Sequence, residues 1–155
     1  MKRIQCFLVM FLLAWSAPAA AKKASDTLCA RLKAFVASVE PNESRELIFH
    51  TIWAGNFRDS SNPALFAKRC DHNEYAPAKS VCDYLMEYGR VEFSEDNLTQ
   101  VLLCLSPKTR LGGAILQRVE LSLGVDTSEG WSDITVEFDR DATLGGMALR
   151  VAVSR

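Results

Sequence analysis

Cysteine and histidine are the side chains of this sequence best suited to covalent or metal chemistry. Of the two histidines, His50 and His72, the second lies in the tripeptide Cys70-Asp71-His72. A thiolate beside an imidazole could act as a nucleophile with its base, and the same groups could ligate zinc. No two cysteines have the two-to-four-residue spacing typical of structural zinc, so we expect no metal and no cofactor. We expect His50 to be a packed or surface residue of a strand.

The first 21 residues have the pattern of a secretory signal peptide. A basic start at Lys2 and Arg3 precedes an apolar run, Phe7–Trp15, that is too short to span a bilayer. Small residues follow as far as Ala21 and provide a cleavage site. We therefore expect export to the periplasm or the exterior. The mature chain, residues 22–155, is expected to form a single domain without membrane insertion.

An exported chain with an even number of cysteines is expected to form disulfides, because thiols pair in oxidising compartments. Cys6 leaves with the signal peptide, and the remaining cysteines are Cys29, Cys70, Cys82 and Cys104. Four cysteines allow three connectivities, and the sequence does not choose among them. We prefer Cys29–Cys82 with Cys70–Cys104, since this pairing would tie the first helix to the second and the central loop to the third. A disulfide-bonded Cys70 could not act as a nucleophile.

Acidic residues offer the remaining route to catalysis, because paired carboxylates hydrolyse glycosidic bonds. Glu92, Glu95 and Asp96 lie close together in sequence, and Glu120 and Glu137 are candidate cross-strand neighbours. The first group would lie at the start of a helix and the second on the outer face of the sheet. Both groups would then be ordinary solvated charges. Serine catalysis has no support, since the Gly-x-Ser-x-Gly motif is absent from the sequence. We therefore favour a protein that is not an enzyme.

Hydrophobic periodicity predicts an α+β fold that would position these residues. Apolar residues at helical spacing indicate three helices, at 25–39, from Pro77 to Tyr88, and from Ser94 or Asp96 to Leu105. After Gly112-Gly113 the period changes to two, which predicts an antiparallel meander with apolar stretches at 115–125, 134–138 and 147–153. We expect the three helices to pack on one face of a mainly antiparallel, three- to four-stranded sheet.

Residues 45–53 fit two interpretations, because their apolar side chains match both strand and helix periods. Aromatic and β-branched enrichment favours a strand covered on both faces. Residues 54–75 follow as the longest irregular stretch, interrupted by Pro63, with one candidate helical turn at 64–68.

Long loops of compact domains often carry function, and 54–75 is the best candidate for a binding segment. It begins and ends near aromatic and arginine side chains, which commonly anchor protein interfaces. We predict a partner-binding site made of Trp53, Phe57, Arg58, His72 and Tyr75.

Composition narrows the class of partner. Removing Lys2 and Arg3 from the 18 basic residues leaves 16 against 19 acidic ones, a net charge of −3. This balance provides no electrostatic footprint for nucleic acid or anionic lipid. We expect a small exported binding protein with a protein partner in the cell envelope, such as an inhibitor or immunity protein. The alternatives are a small cell-envelope hydrolase using acidic residues and a structural accessory protein of the envelope; oligomeric state is left open.

Overall fold

The computed structural model describes residues 24–62, 64–110, 116–127 and 130–155, so the predicted signal peptide lies outside the described part of the chain. Within these residues the chain forms three helices and five strands. In chain order they are α1 (Ala24–Ala37), β1 (Ser44–Trp53), β2 (Phe66–Asp71), α2 (Ala76–Tyr88), α3 (Glu95–Leu105), β3 (Val119–Thr127), β4 (Gly130–Arg140) and β5 (Met147–Ser154). The predicted α+β class is confirmed, and residues 45–53 belong to a strand.

The described strands form one antiparallel sheet in the order β2-β1-β5-β4-β3. The last three strands are the predicted meander, and β1 pairs with β5, so the first and last strands lie side by side at the centre. The expectation of three or four strands was wrong, because β2 adds a fifth at the edge next to β1.

Strand β2 lies inside the segment predicted to be irregular, at the place where a helical turn was suggested. Lys68 and Cys70 lie on one face of β2, and Arg69 and Asp71 lie on the other. Charged side chains on both faces remove the alternation that marks a strand in sequence. The strand forms because its backbone pairs with β1 over six residue pairs, from Ile48↔Asp71 to Trp53↔Phe66.

The core lies between one face of the sheet and the helices. Leu28, Leu32 and Phe35 of α1 are completely buried, as are Leu47 of β1 and Val151 of β5. Helices α2 and α3 contact the sheet, and α1 packs against both of them. Burial of these apolar side chains is the main favourable contribution to folding.

The cysteines form two disulfides, Cys29–Cys104 and Cys70–Cys82. The number of disulfides was predicted, but the preferred pairing was wrong. That pairing assumed that Cys70 lies in a loop, whereas β2 holds it on the helix side of the sheet beside Cys82 of α2. The neighbouring α1 and α3 then bring Cys29 to Cys104. Each disulfide therefore joins two elements that already pack together.

Candidate functional site

The structure separates the five residues predicted to bind a partner. Trp53 is 49% exposed at the end of β1, on the helix side of the sheet. Phe57 is buried, and Arg58 donates a hydrogen bond from its side chain to the carbonyl oxygen of Ala142. His72 and Tyr75 follow the last residue of β2, so they lie at the other end of this strand from Phe66. There they line a separate small pocket together with the start of β1. The five residues therefore do not form one surface.

Trp53 instead lines an open groove with two other exposed aromatic residues. Phe66 is opposite Trp53 in the β1–β2 register and is 52% exposed; Phe93, between α2 and α3, is 51% exposed. The groove has a volume of about 430 Å³. We call it the aromatic groove, and it is lined by Trp53, Phe66, Lys68, Gly89, Arg90, Val91, Glu92 and Phe93. Clustered exposed aromatic side chains are characteristic of interaction surfaces rather than of ordinary solvated surface.

The α2–α3 connection that forms one wall of this groove is held in place by Asn97. This asparagine is buried; it donates a side-chain hydrogen bond to the Arg90 carbonyl oxygen (2.7 Å) and accepts one from the Arg90 N–H (2.8 Å). Gly89 ends α2 directly above the ring of Phe49, where a Cβ atom would collide with that ring. The Asn97 hydrogen bonds therefore tie the connection that carries Phe93 to α3. Sequence reasoning missed Asn97 because only its burial distinguishes it from other polar helix residues.

The polar lining of the aromatic groove includes a cation without a carboxylate partner among the described residues. The Lys68 ammonium group donates a hydrogen bond to the Met86 carbonyl oxygen at 3.1 Å. Burial of this side chain lowers the pKa of Lys68. Arg90, in contrast, forms an ion pair with Asp96 at 3.1 Å. The groove thus combines apolar area with a positive charge that a ligand could neutralise.

A second cluster lies on the outer face of the sheet and is centred on His50, which is only 4% exposed. Its Nε2 atom is 3.2 Å from Asp71 Oδ2, and its Nδ1 atom is 3.3 Å from Asp141 Oδ2 without hydrogen-bond geometry. The imidazole therefore links β1, β2 and the β4–β5 turn. Because both ring nitrogens face carboxylates of the protein itself, we interpret this cluster as structural.

The first part of the predicted binding loop folds onto this outer face. The Phe57 ring contacts His50 edge-on, with ring centroids 6.2 Å apart. The Cζ atom of Arg69 lies 4.8 Å from the centroid of the Phe57 ring, and the same guanidinium group forms a bidentate ion pair with Asp59. The loop therefore covers His50 and does not present Phe57 to solvent.

Two of the acidic residues considered for hydrolysis, Asp96 and Glu137, form surface ion pairs. Glu120 lies directly opposite Glu137, as the strand register predicted, but Arg150 is 3.7 Å from Glu137. The Asp96 carboxylate forms its ion pair with Arg90 of the α2–α3 connection. In the described ranges, no group of three or more His, Cys, Asp or Glu side chains could hold a metal ion. These carboxylates therefore have an adequate explanation as solvated charges.

Comparison of the chain with known protein families, with curated proteins and with solved structures found no match. In the part of the chain that the structure describes, no helix is long and apolar enough to cross a membrane. The two disulfides are consistent with a protein of an oxidising compartment.

Asp141 predicts a specific acid sensitivity. Its Oδ1 atom accepts hydrogen bonds from the N–H groups of Leu144 and Thr143, and these bonds, with the nearby His50 and Arg58 charges, lower the pKa of Asp141. A carboxylate with a lowered pKa stabilises the fold above its ordinary pKa, and this contribution is lost as the pH falls through the folded-state value. Asp141→Asn keeps an acceptor but removes the charge. We expect it to lower the free energy of unfolding by about 1 kcal/mol at pH 7.

Urea unfolding of the wild type and Asp141→Asn between pH 7 and pH 2 tests this expectation. The difference between the two proteins should shrink once the pH falls below about 4. Asp83→Asn is the control, because Asp83 forms an exposed pair with Lys79 on α2 and should affect stability little. A constant difference across the whole range would contradict the role assigned to the Asp141 charge.

Proposed function

We propose that this protein is an exported, disulfide-stabilised binding protein that holds a protein partner in the aromatic groove. The observation that carries the proposal is the exposure of about half of each of the three aromatic side chains, Trp53, Phe66 and Phe93, along one groove. Burying large apolar surface against a partner is favourable, and aromatic anchors contribute much of the energy of protein interfaces. Leu65, 68% exposed, precedes Phe66 and adds further apolar area.

The rigid support of the aromatic groove also favours a binding function. The Cys70–Cys82 disulfide joins β2 to α2, and Asn97 fixes the connection that carries Phe93. The groove therefore has a defined shape before a partner arrives, which reduces the entropic cost of binding. An inhibitor or immunity protein is a concrete form of this function, and the cell envelope is the compartment expected from the predicted signal peptide. The first part of the loop, residues 54–59, is a weaker candidate, because Phe57 and Arg58 fold back onto the sheet.

Site-specific photo-cross-linking in the cells that produce the protein tests the proposal. A photoreactive phenylalanine analogue replaces Phe93 in one variant and Trp131 in the other. Trp131 is a matched control: it is 61% exposed, but it lies on the outer face of the sheet, where its ring covers Gly124. We expect a discrete cross-linked adduct from position 93 and none from position 131. No adduct at position 93, or equal adducts at both positions, would overturn the proposal.

Substitution of the groove aromatics should weaken binding to the captured partner. We expect Trp53→Ala and Phe93→Ala each to reduce the affinity about 30-fold, because aromatic anchors at interface centres contribute about 2 kcal/mol or more. Trp131→Ala should leave the affinity unchanged. Calorimetry with the purified partner measures all three, and thermal unfolding of each variant verifies that it is folded. Equal losses for Trp53→Ala and Trp131→Ala would place the interface elsewhere.

A further inference from the structure

Strand β2 is an edge of the sheet, and half of its backbone groups point away from β1. The N–H of Ala54 donates to the Leu65 carbonyl oxygen at 2.8 Å, so this residue pair is a hydrogen-bonded pair of the ladder. Hydrogen-bonded and non-hydrogen-bonded pairs alternate in an antiparallel ladder. The backbone groups of Phe66, Lys68 and Cys70 therefore face outward from the sheet. In the described part of the chain, no other strand pairs with this edge.

The open edge and the aromatic groove are parts of one surface. Phe66 and Lys68 line the groove with their side chains, and the same two residues direct backbone N–H and C=O groups outward. A strand added beside β2 would place every second side chain on the helix side of the sheet. Those side chains would pass next to the groove, whereas the intervening ones would face the outer side. Backbone pairing and side-chain recognition could therefore act together on one extended segment.

Lys68 determines which segment fits. Lys68 is the third of the six residues of β2, and the described partner of its ammonium group is a carbonyl oxygen of α2, not a carboxylate. A second copy of the chain could pair its own β2 with this edge in antiparallel orientation. If that pairing is centred on Lys68, the two lysines lie opposite each other. Like charges directly opposite on paired strands are destabilising. This register of self-pairing is thus disfavoured, whereas a strand that carries a carboxylate opposite Lys68 is favoured.

We infer that the partner binds as an extended acidic segment that adds a strand to β2, with a carboxylate opposite Lys68 and an apolar side chain opposite Phe66. The inference rests on the proposed function and specifies its partner. Residues on the same face of a strand are two apart. The recognised pattern is consequently an Asp or Glu separated by one residue from an aromatic or aliphatic residue. Glu92, also in the groove, would repel this carboxylate.

Selection from a library of random 12-residue peptides displayed on phage tests the inference, using the purified protein with both disulfides intact. Peptides selected on the wild type should be enriched in the acidic-x-apolar pattern. Peptides selected on Lys68→Glu should carry Lys or Arg in place of the acidic residue. Lys33→Glu is the matched control, because it makes the same change of charge at α1 beside a different pocket. The selected peptide should bind at least tenfold more weakly to Lys68→Glu, unchanged to Lys33→Glu, and more tightly to Glu92→Gln.

Amide hydrogen exchange distinguishes strand addition from side-chain docking alone. With the selected peptide bound, exchange should slow at the amides of Phe66, Lys68 and Cys70, which face outward in the free protein. Peptides that require Trp53 but show no acidic preference, or that leave these amides unprotected, would overturn this inference and leave the proposed function standing. Failure to select any groove-dependent peptide would also overturn this inference, whereas failure of the proposed function is detected separately by cross-linking at position 93.

Discussion

Replacing both Cys29 and Cys104 by alanine is expected to lower the free energy of unfolding by about 4 kcal/mol. These cysteines are 75 residues apart, so their disulfide closes a long loop in the unfolded chain. In the chain-entropy description, such a constraint removes much of the conformational freedom that folding must otherwise overcome. The disulfide also joins α1 to α3, two of the helices that enclose the core. A loss of this size is a large part of the stability of a typical small domain.

The matched control is the double variant Cys70→Ala with Cys82→Ala. Its cysteines are only 12 residues apart, so we expect a loss of about 3 kcal/mol in the same description. Guanidinium unfolding of both variants and the wild type measures the difference, and peptide mapping without reductant verifies the remaining disulfide. A Cys29–Cys82 peptide in the wild-type map would contradict the connectivity. If removing Cys70–Cys82 lowered the free energy of unfolding more than removing Cys29–Cys104, the longer loop would not impose the greater constraint on the unfolded chain.

Gly146→Ala is the second substitution with a large expected effect, a loss of about 3–5 kcal/mol. Gly146 has a φ of +74°, a conformation that an alanine adopts only with strain. A Cβ atom at this position would also collide with the carbonyl oxygen of Thr51 and the side chain of Ile52. Gly146 comes directly before β5, at the point where Met147 pairs with Thr51. A backbone shift that relieves the collision would therefore separate β5 from β1.

Gly145→Ala is the control for backbone strain without a collision. Gly145 has a similar φ of +81°, but the nearest atom to an added Cβ would be Arg58 Nε at 3.7 Å, an ordinary contact distance. We expect a loss of only about 1 kcal/mol for this variant. Chemical unfolding of both variants separates the two effects. Equal losses would show that backbone conformation alone accounts for the cost and that the contact with β1 does not contribute.

Residues with a strong local pattern were predicted well. The apolar spacing of residues 25–39 and the position of Pro77 at the start of a helix that ends at Tyr88 both correspond to observed helices. Alternation in the final third of the chain predicted three strands in meander order. These signals are local, because an amphipathic element has a periodic sequence wherever it packs. Even for 45–53, aromatic and β-branched residues favoured the observed strand.

Three features that depend on contacts between distant residues were not predicted. The alternation of β2 is hidden by charges on both faces, so only its pairing with β1 reveals it as a strand. The error in disulfide pairing followed directly, since β2 places Cys70 beside α2. Phe57 and Arg58 were predicted to bind a partner, because the sequence does not show that their loop folds over His50.

The sequence by itself therefore determined the class of fold, the helices, the meander and the number of disulfides, because local periodicity and cysteine count specify these. Only the tertiary structure decided the fifth strand, the disulfide connectivity and the composition of the candidate site. Trp53, Phe66 and Phe93 come from three separate parts of the chain and share no motif. They meet because β2 pairs with β1 and because Asn97 ties the α2–α3 connection, which carries Phe93, to α3. A binding surface assembled by strand pairing and one buried side chain has no local pattern from which it could be predicted.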